Sequence, residues 1–314
     1  MDTLADWFAQ VQLWLFEFAI QPVMFATGLG GRLDEGFNAT GWLLVGCIQL
    51  AVMLLLIAPL QWWRPVEPVV DPAAVRVDAI YTLIHRLGLF RVAMFFTLDP
   101  LANALFAPLR AAGVGTFHLD SLLPGVSDVP WVSLLLYLLV LDGLQYAIHR
   151  GQHQFEWWWR LHALHHSQRQ MTMWTDNRNH LLDDVIRDAI VVVVAMGIGI
   201  APGQFVVVVA VMQLCENLQH ANVRLWFGPV GERLLVSPRF HRVHHSIGPG
   251  FSHNFAVLFP FWDMLFGTAD FELKFEATGV RDQVEQGVDY GQGFWAQQRL
   301  GLVRLWSLLR GANA

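Results

Sequence analysis

Two octets, RLHALHHS at 160–167 and RFHRVHHS at 239–246, share five of eight residues, and each sets three histidines at relative positions 0, 3 and 4. The first supplies His162, His165 and His166, the second His241, His244 and His245. A third piece, LDGLQYAIHRGQH, places His149 and His153 at i, i+4 on one helix face. Each piece offers two or three imidazole nitrogens from one rigid turn. Asp142 and Tyr146 continue the His149 face, where they would hydrogen-bond a ligand or stand near a reaction site. Eight such donors exceed the coordination sphere of one ion, so the pattern predicts two metals. An all-imidazole site suits iron, zinc or copper and is a poor match for magnesium or calcium.

The chain around these residues is apolar, 54% hydrophobic and only 15% charged over 314 residues. A soluble domain carries roughly a quarter charged residues, so long apolar runs predict an integral membrane protein. Expected spans are 8–28, 41–63, 88–108 and one beginning at 130–149. The run 189–215 is broken by Pro202-Gly203 and reads either as one kinked span or as a hairpin of two helices. His180 and His220 flank it, and only the hairpin returns both to one side, so shared metal chemistry favours the hairpin. Glu216, one turn before His220, would back a ligand or serve as one.

Arginines cluster in 64–87, 150–187 and 224–242, which the positive-inside rule places in the cytoplasm. The expected organisation is N-terminal transmembrane helices over 1–130, a catalytic domain over 131–270 and a cytosolic tail over 271–314. The N-terminus lacks a basic signal-peptide region and reads as uncleaved. Cys47 and Cys215 lie in apolar segments and build no disulfide framework. No basic stripe points to nucleic acid. Lys274 is the only lysine, which hints at a GC-rich bacterial origin and an inner-membrane location. Against the metal reading stand isolated residues: His85 and His118 read as structural, His253 more as structural than as a ligand, and Trp157–Trp159 as an interfacial belt rather than a substrate cage.

These motifs, with the trailing NFAVLFPFWDMLFGTADF, resemble the fatty acid hydroxylase/sterol desaturase superfamily of membrane di-iron enzymes from about Asp142 to Thr268. The resemblance implies an all-α, multi-span transmembrane bundle with a cytosolic histidine-rich cap. It implies His149, His153, His162, His165, His166, His241, His244 and His245 as iron ligands, with His180 and His220 completing two iron ions that zinc can replace on purification. The implied reaction is O2-dependent hydroxylation of a lipid, first an acyl chain of a bacterial polar lipid such as an aminolipid. Desaturation and ether-lipid oxidation are the alternatives on the same site. Leu181 and Ala256 depart from the family's usual proline and glycine. No fused cytochrome domain and no GxGxxG fingerprint occur, so a separate ferredoxin, cytochrome or reductase is expected as electron donor. Of other classes, a metal transporter would place ligands at mid-membrane on broken helices, and a metal-stapled scaffold would bind zinc without oxygen chemistry.

Overall fold

The computed structural model describes residues 2–90, 94, 101, 104–108, 111–113, 117–122, 125, 129–248 and 252–311. Among these no strand forms; one isolated β-bridge joins Ser246 to Thr278. The chain divides into two compact units, 1–52 with 83–112, and 53–82 with 113–314.

In the first unit α1 (Asp2–Leu15) packs on α2 (Leu33–Val52), with the Phe16 ring edge-on to Phe37 at 5.4 Å and Gln12 donating to the Phe37 carbonyl at 2.9 Å. α2 runs on through Met53–Ile57 and Ala58–Trp63, so one unbroken helix extends over Gly30–Trp63. α3 is Pro72–Arg86.

The second unit is built on α4 (Pro130–Gln154), which begins with proline at its first turn and has no further proline in its 25 residues. Helices Gly30–Trp63 and Pro130–Gln154 are each long and apolar enough to cross a membrane. The expected span 88–108 lies largely outside the described residues. α5 (Glu156–His166) follows α4 after a single extended residue, Phe155.

The 189–215 run folds as the hairpin, α6 (Leu181–Gly197) and α7 (Pro202–Gln219). Its turn has a physical cause. Gly199 adopts φ 71°, Ile200 N–H closes back on the Ala195 carbonyl at 3.3 Å, and Gly199 N–H on Met196, which is a glycine-terminated helix end. A side chain at Gly199 would also strike the Phe117 carbonyl, at 2.1 Å from its Cβ. Pro202 then starts α7.

Short helices α8 (Gly228–Leu234), α9 (Pro238–His244), α10 (Phe261–Phe266) and α11 (Arg281–Glu285) precede the closing α12 (Phe294–Leu309), which packs along α5. Leu138 and Leu141 of α4, Val208 and Met212 of α7, and Val257 and Leu258 of the loop before α10 form one buried cluster. Within a bilayer, where lipid tails are as apolar as leucine, this cluster holds α4 to α7 by van der Waals packing.

Candidate metal centre

Nine of the ten expected histidines converge. α4 supplies His149 and His153, α5 supplies His162, His165 and His166, the residue closing α7 is His220, and α9 with its closing residue supplies His241, His244 and His245. Their ring nitrogens fall into two groups, His149/His153/His162/His166 and His165/His220/His241/His245, each with ligand atoms within 4.8 Å of one another. His166, His244 and His245 form a third such set that joins the two.

The repeated spacing now has a geometric meaning. On a helix, positions i and i+4 point the same way and i+3 is rotated about 100° from i+4. The first triplet therefore sends His162 and His166 to the first group and His165 to the second. The second triplet does the converse. His241 and His245 join the second group, while the His244 ring lies 4.4 Å from His149 and 4.6 Å from His153. Each triplet crosses over to serve the other.

The donor set fits metal ions. His149 Nδ1 donates to the Phe255 carbonyl at 2.8 Å, His244 Nδ1 to the His253 carbonyl at 2.7 Å, His220 Nδ1 to the Glu216 carbonyl at 2.7 Å and His162 Nδ1 to Asp183 at 3.0 Å. Those oxygens only accept, so each Nδ1 carries the proton and each Nε2 presents a lone pair. Nε2 of His149, His162 and His244 is buried with no hydrogen-bond partner. An unpartnered buried acceptor costs about 1–3 kcal/mol, and a cation at that position removes the cost. The Nε2 atoms of His165, His220, His241 and His245 approach in sequence at 3.1, 3.0 and 3.1 Å. Two nitrogens at right angles on one ion, each about 2.1 Å from it, stand about 3.0 Å apart.

Burial and the neighbouring imidazoles push His165, His166, His241 and His245 well below the usual histidine range, and burial brings His244 to about 3. These five imidazoles are therefore held neutral, the form that ligates metal.

His180 stays outside. Its Nδ1 accepts from Leu182 N–H at 3.1 Å, capping α6, and its Nε2 donates to the Gln298 carbonyl at 2.9 Å. The hairpin does return it to the histidine-bearing end, but both nitrogens are engaged there. Asp142 accepts from Leu258 and Phe259 N–H at 2.7 and 3.0 Å, bracing the loop whose carbonyls orient His149 and His244. Tyr146 meets Thr268 at 3.0 Å and Arg150 at 3.1 Å, and stacks on Phe266. Glu216 orients His220 through its backbone, and its side chain lines a cavity of about 40 Å³ beside both groups, with Gln145, Gln219 and Arg187. That volume holds a few waters, at about 10–15 Å³ each. His253 contributes its carbonyl, and His118 Nδ1 lies 3.0 Å from the Gly199 carbonyl.

Residue-by-residue reading missed Asp183. It is 2% exposed and accepts from His162, from Gln152 at 2.8 Å and from Trp158 at 2.7 Å. Asp142 stands alone in an apolar run, whereas Asp183 lies in LLDDVIRD with three further charged residues, so no isolated acid marks it in the sequence. The tryptophan belt is corrected in part: Trp158 is buried on Asp183, and the Trp159 ring lies 5.0 Å from His153, so only Trp157 of the three faces outward.

The family model described as fatty acid hydroxylase matches residues 134–268, the segment carrying all nine histidines. The chain is 31% identical over 196 residues to ornithine lipid hydroxylase OlsE of Rhizobium tropici, covering 61% of this chain and 56% of that protein. It is 27% identical over 191 residues to alkylglycerol monooxygenase of Caenorhabditis elegans, covering 59% and 35%. Fatty acid hydroxylase vlmA of Lecanicillium sp matches at 24% identity, covering 44% and 41%. The chain thus spans about half or less of these relatives' own length. No solved structure matches it.

Proposed function

We propose that this chain, which carries a fatty acid hydroxylase domain over 134–268 and is an oxidoreductase of that superfamily, is a membrane di-iron monooxygenase that hydroxylates a lipid. The observation that carries the reading is the crossover of the two triplets, which provides two adjoining all-imidazole groups instead of one. Neutral ligands leave bound iron strongly electrophilic, and two iron ions there would supply O2 activation. The overall change is R–H + O2 + 2 e⁻ + 2 H⁺ → R–OH + H2O, with electrons from a separate ferredoxin, cytochrome or reductase.

The chain's own residues do the rest. Asp183 and the carbonyls of His253, Phe255 and Glu216 hold four imidazoles in the ligating tautomer. Asp142 and Asp263 hold the 255–259 backbone that supplies part of that frame. The small cavity adjoins both groups. Exposed Trp131, Leu135 and Leu139 on α4 give the domain a lipid-compatible flank. The named relatives act on ornithine lipid, alkylglycerol and fatty acid, which supports a lipid substrate and, for a bacterial chain, an aminolipid first. The arginine-rich segments support a cytoplasmic metal centre in an inner membrane.

The test is comparative lipid mass spectrometry of cells expressing the wild type or His244→Ala under ¹⁸O2, with iron supplied. A wild-type-specific lipid gaining one ¹⁸O supports the reading. Loss of two hydrogens replaces it with desaturation. No lipid change, with folded protein and a working electron donor, overturns it in favour of a metal scaffold.

A further inference from the structure

α12 is apolar on its exposed side. At 100° per residue, Trp295, Leu302, Val303, Trp306 and Leu309 fall in one sector of about 120°, and they are 78, 48, 48, 56 and 66% exposed. Gln297, Gln298 and Gly301 form the buried side. Arg299 and Arg310 share the outer sector, the Arg310 guanidinium lies over the Trp306 ring at 4.6 Å, and the helix contains no acid. A helix side facing water carries polar residues. A side of tryptophan, leucine and valine flanked by arginines matches the boundary between acyl chains and headgroups, where tryptophan settles and arginine reaches up to phosphate.

The fold sets this helix at the right level. Gln298 Oε1 accepts from Leu181 N–H at 2.9 Å, and its amide donates to Tyr81 at 2.9 Å and to the Asn179 carbonyl at 3.1 Å. Gly301 lets the helix close onto His180, since a Cβ there would sit 2.3 Å from the imidazole. α12 is therefore clamped to the first turn of α6, where the apolar hairpin begins. It also packs along α5, which starts one residue beyond the end of the span-length helix α4.

We propose that α12 lies in the membrane interface, with its tryptophan–leucine face in the acyl boundary and Arg299 and Arg310 at anionic headgroups. The proposal rests on the membrane reading above and departs from the expected soluble tail over 271–314. The two outward arginines, on a helix that contains no acid, favour an anionic lipid surface over a second copy of the same basic face.

The experiment uses the full chain with Cys47→Ser and Cys215→Ser, reconstituted in phosphatidylcholine/phosphatidylglycerol vesicles. An environment-sensitive fluorophore is attached at Leu302→Cys and, separately, at Trp306→Cys. Leu139→Cys on α4 reports the membrane, and exposed Asp289→Cys reports water. Blue-shifted emission at 302 and 306, with about twofold quenching by nitroxide-bearing lipid and little by iodide, is expected of a helix buried to this depth. Quenching by iodide at 302 and 306, with lipid quenching at 139, overturns this proposal alone. Protection from both quenchers at 302 and 306 overturns it in favour of a covering protein. Failure of lipid quenching at 139 as well overturns the membrane reading itself.

Discussion

The two histidine triplets have the same spacing and opposite surroundings. The first rides on α5, an 11-residue helix held by packing against α4 and α12, and its leading imidazole is fixed by a carboxylate, Asp183. The second rides on α9, only seven residues long, too short to stand alone. It is held by ionic and capping contacts. Ser237 caps its start, the fully buried Arg239 pairs with Glu232, and Arg242 bonds Glu67 at 2.7 Å and the Glu276 carbonyl at 2.9 Å. Its middle imidazole is oriented by a loop carbonyl, not by an acid. Identical motifs can thus depend on different physics, and each should fail in its own way.

The largest effect is expected where the triplets meet. His166→Ala or His245→Ala, each removing an imidazole from the joining set, should lower activity at least about a hundredfold, beyond the 10–100-fold typical of an outer partner. Metal analysis should show loss from both groups. Next, Glu232→Gln leaves Arg239 buried without its counter-charge, which should cost about 3–5 kcal/mol of stability. Thermal unfolding should show the drop, with the second triplet failing first. Asp183→Asn should act on the first triplet, weakening metal affinity about 10–100-fold and, because an amide nitrogen cannot accept the His162 N–H, costing about 1–3 kcal/mol in the metal-free protein. If Glu232→Gln and Asp183→Asn weaken the two groups equally, the contrast between the triplets is wrong.

Acid should act on both. In the metal-stripped protein His244 titrates near 3 when folded against an ordinary 6.5 unfolded, and its neighbours are lowered in the same direction. Between those values the unfolded chain binds more protons. Stability is therefore full above about pH 6.5 and falls as pH drops toward 3, by about 1.4 kcal/mol per pH unit for each proton taken up. A denaturation series across that window reads the slope. The smallest effect is expected at His180→Ala, which should retain full metal content and lose about 1 kcal/mol through the missing cap.

Much of the centre was legible in the sequence because imidazole spacing on a helix maps directly onto direction. His149, His153 and both triplets needed only the 100° rule, and His220 followed from the hairpin that Pro202-Gly203 signalled. His180 satisfied the same topological argument yet turned its ring to α12. The partner that claimed it, Gln298, lies 118 residues away and carries no sequence mark. Carbonyls of residues 253 and 255 orient His244 and His149 without any side-chain signature, so no residue type could announce them. Residues 53–82 pack with the histidine-bearing unit, a grouping that chain order alone does not show.

The most direct test of the central claim is the metal content of the purified full chain after reconstitution with excess ferrous iron. Two metal ions per chain in the wild type and in His180→Ala, with fewer in His245→Ala, is the predicted result. One ion per chain or none in the wild type, with the fold intact, would contradict the two-group account.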